Sequence, residues 1–512
     1  MVEKKSFFKE YYPIIIIAFI KLVLHFITNT NLLGYGYFID EFYYYACAMR
    51  LDFGYVDHPP LAPFILHLNH FILGDSLFAL RFLPALAGAA LVFLTGIITK
   101  ELGGKTFAQI IATLAVTFSP VILVLNSFFS MNAFEVLIWV FTAYLIILLI
   151  KKDNPKIWIL IGIIAGIGLE NKHTMVLFGI GMILGLLLTK NRKYILNKWF
   201  FIAGIIAFLI ILPNIIWQIT HGFPSLEFYK KSELIKGLSL SPLNIFIMQI
   251  ISYNPFFLPL WFAGIIYFFF LKEGKNYRLI GWIYLFIFLI LILQKSSRPD
   301  RIAGLYPLLF AAGAILFENL IINIKQNWIR ILAISFVIIG GLILLPFSLP
   351  VLTPKLTDKY LTFIGLNIKI EKGSNRSRLP QYLADRLDWE ELIKELSKVY
   401  NDLPEAEKKK AVIIADSYAT AGSAEFFGKK YNLPKVISIH NNYHLWGYDG
   451  ATGDIMITFG FNEQEVSESF EEYEVKSVFK SQYSRLNGLQ ICVAKKLKYN
   501  IKDIWTSIKK YE

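Results

Sequence analysis

The chain has 512 residues, of which 55% are hydrophobic and 17% are charged. Its apolar residues form long runs, which excludes an ordinary soluble protein and indicates a polytopic membrane protein embedded in a lipid bilayer. The net charge of +13 comes from 51 basic and 38 acidic residues. Loops that face anionic lipid headgroups explain much of it, so no nucleic-acid partner is expected.

Eleven apolar segments predict about eleven transmembrane helices. The first has no small-residue cleavage pattern after it and is interpreted as a retained helix. The segments are 12–27, 77–99, 107–125, 133–150, 157–169, 175–189, 200–217, 253–271, 279–293, 302–322 and 329–349.

Lysine and arginine collect in alternate loops, and short positive loops stay in the cytoplasm. The other loops, including the first one at 31–75, and the C-terminus are then predicted to lie outside the cytoplasm. The expected location is the cell membrane. The cytoplasmic set comprises Lys4, Lys5, Lys9, Lys100, Lys105, Lys151, Lys152, Lys156, Lys190, Arg192, Lys193, Lys198, Lys272, Lys275, Arg278, Lys325 and Arg330.

The first outer loop carries two adjacent acids, Asp40 and Glu41, and an Asp57-His58 step before two prolines. Ionisable groups beside a bilayer are costly to desolvate and are candidates for function. Neighbours on a helix point about 100° apart, so only one acid of the pair is expected to face a reacting centre. Asp40 also fits a helix cap before "EFYYYACAMR". The aromatic run 42–45 fits either sugar stacking or an interfacial belt, and the belt is favoured.

Polar residues also mark the next outer loop and the start of the second segment. In "FFSMNAFE", Asn132 can orient a hydroxyl but cannot take its proton, and Glu135 lies about one helical turn further on. This pair is predicted to bind an acceptor or to be structural. Arg81 either pairs with one of these acids or anchors its helix at the interface.

Two cationic groups follow. The segment 157–169 has thirteen residues and reaches only about 20 Å, short of a hydrocarbon core about 30 Å thick. Lys172 after it is therefore predicted to lie below the outer surface, where it needs an anion such as a lipid phosphate or extends to solvent. Arg298 and Arg301 suit phosphate oxygens, although Asp300 between them could form a salt bridge with one.

From about residue 351 the apolar runs shorten to strand length, in the five runs "AVIIADS", "KVISIH", "DIMITFG", "YEVKSVF" and "LQICVAKKL". They alternate with helical stretches at 381–400 and 422–430. This pattern predicts a soluble α/β domain over 351–512, after a membrane domain over 1–350. The turn in "IIADSYATAGSAEFF" could bind a ligand, but a structural turn is favoured because such turns recur in α/β folds. Cys47 and Cys492 are expected to be free thiols. No glycine-rich nucleotide fingerprint, Cys/His cluster or internal repeat is found.

Seven motifs occur in a characteristic order: "IDE", "DHPPL", "LRFLPALAG", "FFSMNAFE", "GLENKHTMVLFG", "QITHGFPSLEF" and "RPDRIAGLYPLLFAAGA". With them the chain resembles membrane glycosyltransferases of the GT-C type. More narrowly it resembles glycosyltransferase family 39, the dolichyl-phosphate-mannose-protein mannosyltransferases, in the bacterial branch that includes the lipid A aminoarabinose transferases. The similarity covers roughly 11–350, and "LPKVISIHNNYHLWG" resembles the outer domain of bacterial members.

The resemblance implies transfer of a sugar from a polyprenyl phosphate to an acceptor hydroxyl, with inversion, on the outer side of the membrane. Asp40 matches the family's base or acceptor-orienting group, with Glu41 as its neighbour, since a carboxylate can accept the hydroxyl proton. His58 stands where aminoarabinose transferases have a lysine that touches the donor phosphate, and its charge depends on pH.

The resemblance also implies a divalent metal ion at Asp57, for which a stiffened polar turn is the alternative. Lys172, Arg298 and Arg301 match loops near the donor phosphate. Asn132 departs from the family pattern, which has a second aspartate there.

Two other function classes remain open at this stage. A transporter or flippase for polyprenyl-linked lipids would usually show repeat symmetry and broken helices in both halves, and no such symmetry is found. A non-catalytic membrane assembly factor is the other alternative. The motifs do not indicate the donor sugar, nor whether the acceptor is a glycolipid, a cell-wall glycan or a protein.

Overall fold

The structure, a computed structural model, describes residues 7–296, 298–322, 327–366, 372 and 377–512. Lys4, Lys5 and Lys325 of the predicted cytoplasmic set lie outside the described residues, as does the side chain of Lys9. Short 3-10 helices span Lys190–Tyr194, Pro255–Phe257, Gly274–Tyr277 and Pro299–Leu305.

The α-helices of the described residues are α1 (Phe7–Thr28), α2 (Ile39–Ala48), α3 (Leu61–Leu73), α4 (Leu77–Glu101), α5 (Thr106–Thr117), α6 (Pro120–Leu125), α7 (Met131–Lys152), α8 (Ile157–Asn171), α9 (Met175–Leu187), α10 (Lys198–Thr220), α11 (Pro224–Lys236), α12 (Pro242–Ser252), α13 (Leu258–Phe270), α14 (Arg278–Leu293), α15 (Tyr306–Ile322), α16 (Asn327–Ser348), α17 (Pro354–Phe363), α18 (Gln381–Ala384), α19 (Trp389–Asn401), α20 (Glu405–Lys408), α21 (Tyr418–Tyr431), α22 (Asn441–Trp446), α23 (Glu463–Ser469) and α24 (Ile501–Ile504). The strands are β1 (Val412–Ala415), β2 (Val436–Ser438), β3 (Ile455–Phe459), β4 (Phe470–Val478) and β5 (Gln490–Leu497).

All eleven apolar segments predicted from the sequence are helical, and the polytopic membrane fold is confirmed. In the described part of the chain, seven helices are long and apolar enough to cross a membrane, or eight if the pair around Asn254, bent by 96°, is one span. The predicted number of about eleven is therefore too high by this measure. Segment 107–125 divides into α5 and α6 at Ser119, because Pro120 begins a new helix and offers no N–H to the preceding one.

The contacts within the described chain define two compact units. The first comprises Met1–Asn29, Arg81–Ile215 and Leu238–Val351, and the second comprises Thr30–Leu80, Ile216–Gly237 and Leu352–Glu512. The first outer loop thus belongs to the same compact unit as the C-terminal residues. The division at residue 350 stays a prediction from composition.

The first unit is an apolar helical bundle with α5, α7, α13 and α15 at its centre. The close approach of α13 and α15 depends on glycine. A Cβ atom on Gly264 would lie 2.1 Å from the carbonyl oxygen of Leu309, and one on Gly313 would lie 1.8 Å from that of Leu260. Small residues that let two backbones approach are typical of helix packing in membranes.

The second unit contains a five-stranded mixed sheet in the order β2-β1-β3-β5-β4. Strand β1 is parallel to β2 and β3, whereas β5 is antiparallel to β3 and β4. Each of the five short runs predicted from the sequence forms one of these strands, so the α/β prediction is confirmed. Cys47 and Cys492 are free and buried, as expected.

The core of this unit joins the sheet and its helices to the first loop. Phe42 packs against Trp389, Phe426 and Phe427, with ring centroids 5.3 to 5.8 Å apart. Tyr43 and Tyr44 are also buried. The expectation of an interfacial aromatic belt over 42–45 is therefore wrong for these three residues, because packing against the C-terminal part removes them from both lipid and water.

Candidate active site

The two acids of the first loop occupy the first turn of α2, where the partial positive charge of a helix N-terminus favours carboxylates. The helix cap is Phe38, not Asp40 as the capping alternative proposed. Glu41 is fully buried, and its Oε2 accepts a hydrogen bond of 2.7 Å from the backbone N–H of Phe38. Glu41 therefore satisfies the open end of α2, as the acid of a capping box does.

Asp40 points to a different partner. Its half-buried carboxylate accepts a hydrogen bond of 2.9 Å from the hydroxyl of Tyr418. Tyr418 is the first residue of α21 and follows β1, in the turn for which the sequence favoured a purely structural role. The two neighbouring acids thus face in different directions, as their helical spacing predicts.

Helix α21 lies directly on α2 because Gly422 has no side chain. A Cβ atom at Gly422 would lie 2.9 Å from the Cβ of Phe42 and 3.0 Å from its carbonyl carbon. Since real Cβ atoms avoid such short contacts, glycine permits this approach of the two helices. The close packing brings the start of α21 within hydrogen-bond distance of the start of α2.

The Asp57-His58 turn is held by polar contacts on both sides. The hydroxyl of Tyr43 lies 2.9 Å from Oδ1 of Asp57. The side-chain oxygen of Asn442, in α22, accepts from the N–H of Val56 at 2.7 Å and lies 3.2 Å from the Tyr43 hydroxyl. These contacts support the alternative in which Asp57 belongs to a stiffened polar turn.

His58 is fully buried within the second unit. Its ring lies 4.7 Å from that of Tyr44, 4.9 Å from Tyr55 and 5.8 Å from Tyr43, between centroids. Its Nδ1 lies 3.0 Å from the carbonyl oxygen of Pro59. A donor phosphate reaches this imidazole only if the tyrosines move, so contact between His58 and phosphate stays a prediction that this conformation does not support.

The predicted metal at Asp57 finds few ligands. Among the residues that the structure describes, no group of three or more His, Cys, Asp or Glu side chains could hold a metal ion. Nε2 of His58 lies 3.9 Å from Oδ1 of Asp57, but this pair supplies only two side chains, whereas protein metal sites usually use three or more. The described residues therefore do not fit a metal centre at Asp57, and a metal requirement stays a prediction.

In the first unit, Lys172 has an anion of its own. Its ammonium lies 2.7 Å from Oε2 of Glu135 and 2.7 Å from the side-chain oxygen of Asn132. Glu135 also accepts from the hydroxyl of Thr174. The ion pair is largely buried, with side-chain exposures of 12% for Lys172 and 7% for Glu135. Lysine at this position does need a counter-charge, and a carboxylate of the chain provides it instead of solvent.

Arg298 and Arg301 differ in their partners. Arg298 forms a two-pronged salt bridge with Asp300, at 2.9 and 3.1 Å, which is the internal pair anticipated for one of the two arginines. Arg301 donates to the side-chain oxygen of Gln294 at 3.3 Å. Arg81 lies one turn into α4 and is fully buried, which does not fit an anchor in the headgroup region. The phosphate roles stay predictions.

The helical bundle, the acid-bearing first loop and the mixed α/β sheet define a multi-pass membrane protein with the architecture of GT-C glycosyltransferases. Residues 57–217 match the model of the family described as dolichyl-phosphate-mannose-protein mannosyltransferase. The family recognised from the sequence motifs is therefore confirmed over this part of the chain.

Solved structures with a similar fold cover nearly all of the chain. ArnT from Cupriavidus metallidurans in the apo state aligns with a TM-score of 0.59 and 11% identity, over 94% of this chain and 97% of that chain. The same protein bound to undecaprenyl phosphate aligns with a TM-score of 0.55, at the same identity and coverage. The Archaeoglobus fulgidus oligosaccharyltransferase in the apo form has a TM-score of 0.52 and 13% identity, over 88% of this chain and 66% of that chain. No curated protein matches the sequence.

Sequence reasoning missed two residues of the second unit, Tyr418 and Asn442. Each contacts the first loop through a hydrogen bond to a residue more than 370 positions away. The motifs that contain them, "IIADSYATAGSAEFF" and "LPKVISIHNNYHLWG", were noticed. Their spacing along the chain, however, carries no signal for this pairing.

Proposed function

We propose that the chain is an inverting glycosyltransferase that moves a sugar from a polyprenyl-phosphate donor to an acceptor hydroxyl at the outer face of the membrane. The observation that carries the proposal is the difference in burial and partners between the two acids at the start of α2. Glu41 is buried and accepts from the backbone N–H of Phe38, whereas Asp40 is partly exposed and accepts from the Tyr418 hydroxyl. The family match over 57–217 and the fold shared with ArnT support the same reaction class.

The reaction is a single displacement. The acceptor oxygen forms a bond to the anomeric carbon as the bond from that carbon to the phosphate oxygen breaks, and polyprenyl phosphate leaves. The carboxylate of Asp40 takes the proton of the acceptor hydroxyl, because an alcohol is a poor nucleophile until that proton is removed. A carboxylate oxygen can accept more than one hydrogen bond, so the bond from Tyr418 is compatible with this role.

The leaving phosphate needs fixed positive charge. By the family resemblance, the proposed contacts are Lys172, Arg298 and Arg301. Two of these already pair with carboxylates of the chain, so a phosphate would share or replace those partners. His58 would contact the phosphate only after the surrounding rings of Tyr43, Tyr44 and Tyr55 move away. No step is assigned to a metal ion, since the residues around Asp57 do not fit one.

Replacing Asp40 by asparagine tests the proposal. The Asp40→Asn side chain can still accept from Tyr418 but cannot take a proton, so kcat for transfer should fall by about 10²- to 10⁴-fold while affinity for polyprenyl phosphate is kept. The measurement is transfer from a polyprenyl-phosphate sugar by the purified protein in lipid nanodiscs, with donor binding measured in parallel.

Asp52→Asn is the matched control in the same loop. Asp52 accepts from the Trp217 indole at 2.8 Å, which an amide oxygen can also do, so this variant should transfer sugar at the wild-type rate. Equal activity of Asp40→Asn and wild type would contradict the proposal. A flippase would be favoured instead if the wild type transfers no sugar and the Asp40→Asn variant still moves polyprenyl-linked lipid across the bilayer.

A further inference from the structure

The C-terminal α/β part reaches the proposed base through one side chain. The Tyr418 hydroxyl donates to Oδ1 of Asp40 at 2.9 Å, and both residues belong to the second compact unit. This bond closes a loop of 378 residues. Hydrogen bonds to an ionised acceptor are the strong ones, and they fix its orientation.

His440 holds Tyr418 through both its backbone and its ring. Its backbone N–H donates to Nδ1 of His440 at 2.9 Å, and its ring stacks on the His440 ring with centroids 5.0 Å apart and planes 8° apart. The other ring nitrogen of His440 lies 3.1 Å from the carbonyl oxygen of Glu512. An Nδ1 that accepts requires the Nε2–H form, which then donates to that carbonyl.

Helix packing restricts the phenol further. Gly422, one turn along α21 from Tyr418, lets α21 lie against Phe42 of α2. The Tyr418 ring also contacts that of Tyr43, with centroids 4.9 Å apart. A rigid donor placed by two packed helices costs little rotamer entropy when it forms its bond, because its geometry is already set.

From these contacts we infer that Tyr418 is a positioning residue that orients the carboxylate of Asp40 and favours its ionised form. This inference rests on the proposed function for its catalytic meaning, but the hydrogen bond and its effect on Asp40 do not. It makes the C-terminal α/β part a component of the reaction site, not only an appended domain.

Several charged or titratable groups of the described residues lie near this pair. The Lys236 ammonium lies 5.8 Å from the centre of the Tyr418 ring, and it also acts on the buried His440. On α2, Glu41 is bonded to Phe38, and Asp57 lies beyond Tyr43. A change at Tyr418 that keeps all of these in place isolates the effect of its hydroxyl on Asp40.

Tyr418→Phe removes only that hydroxyl. A hydrogen-bond donor stabilises the ionised form of a carboxyl group. Loss of the Tyr418 hydroxyl should therefore raise the pKa of Asp40 by about one unit. The acid limb of the kcat profile should move by the same amount, and kcat at its plateau should fall roughly threefold to tenfold because the carboxylate is less well oriented. Tyr431→Phe is the matched control at the other end of α21, where Tyr431 donates to Glu390 at 2.7 Å; it should change neither.

The titration of Asp40 is also read without any activity. Infrared difference spectra of wild type minus Asp40→Asn isolate this carboxyl, and the same subtraction in the Tyr418→Phe background measures its shift. If the Asp40 signal shifts in Tyr418→Phe but the wild type transfers no sugar, the proposed function is wrong and the hydrogen-bond inference holds. Transfer by wild type with an unshifted Asp40 in Tyr418→Phe would overturn the inference alone.

Incorporation of 3-fluorotyrosine at position 418 covers the case in which Tyr418→Phe does not fold. The fluorinated phenol keeps its shape and is a stronger donor, so Asp40 should titrate at a lower pH than in wild type. A shift in the opposite direction, or none, would overturn the inference.

Discussion

The role of Lys172 depends on the neighbours that the fold brings to its ammonium group. The sequence predicts that Lys172 either pairs with an anion such as a lipid phosphate or extends to solvent. In the structure, Glu135 and Asn132 on one turn of α7 hold its ammonium at 2.7 Å each. A buried charge that loses its partner is far more costly than an exposed one. The ion pair is therefore a structural element first, and any donor phosphate must compete with Glu135.

Glu135→Gln should destabilise the protein by about 3 kcal/mol, because it removes the carboxylate that pairs directly with the largely buried Lys172 ammonium. Thermal and denaturant unfolding in a fixed detergent measure the loss. The control is Asp153→Asn, which breaks an ion pair with Lys193 whose side chains are 66% and 58% exposed. The free energy of unfolding of Asp153→Asn should equal that of the wild type. Equal unfolding of both variants would show that Lys172 has another anion.

At the scale of the element, the start of α2 determines which acid is available. The first turn of a helix leaves backbone N–H groups without partners inside the helix. Glu41 satisfies that of Phe38 and is fully buried, which leaves Asp40 to face Tyr418. The preference for Asp40 as base thus agrees with the way in which this helix begins.

Glu41→Ala should cost about 1 to 2 kcal/mol of stability, because it removes a cap and leaves space in a packed site. Glu41→Gln should cost less, since its amide oxygen can still accept from Phe38. Both variants should retain sugar transfer once corrected for the fraction folded, as measured by circular dichroism and activity on the same samples. A loss of kcat in a fully folded Glu41→Gln sample would instead assign catalysis to Glu41.

At the scale of the whole molecule, the α/β part is fastened to the first loop through buried polar contacts that require fixed protonation states. Burial lowers the pKa of His440 to about 3, and the positive charges of Lys236 and Lys510 add to the effect. His440 therefore stays neutral in the folded protein at pH values where an exposed histidine is charged, which its acceptor role toward Tyr418 requires.

Folded stability should fall as pH drops from about 6.5 toward 3. In this window the unfolded chain binds a proton at His440 and the folded chain does not, so the loss is about 1.4 kcal/mol per pH unit for this one group. Above pH 6.5 both states are neutral and the dependence vanishes. His440→Asn keeps an acceptor near Nδ1 and cannot titrate. Its unfolding free energy, measured from pH 7 to 4.5, should show a slope smaller by one proton. An unchanged slope would mean that His440 is charged in the fold.

The sequence by itself determined the membrane class, the five strands and the resemblance to the glycosyltransferase family whose model matches residues 57–217. These features depend on hydropathy, alternation and motif order, which act within short windows of the chain. It also located the acids of the first loop and the cations of later loops. The eleven apolar segments outnumber the seven or eight helices of the described residues that are long and apolar enough to cross a membrane, because hydropathy alone does not say where a helix ends.

Only the tertiary structure decided which side chains pair. Glu41 rather than Asp40 accepts from the N–H of Phe38, which caps α2, and Glu135 rather than solvent compensates Lys172. The phenol that donates to Asp40 lies 378 residues away along the chain. The physical reason is that a hydrogen bond or ion pair requires atoms about 3 Å apart with suitable angles. Distances of that kind are set by how helices pack, as at Gly422 on Phe42, and no local pattern of residues encodes them.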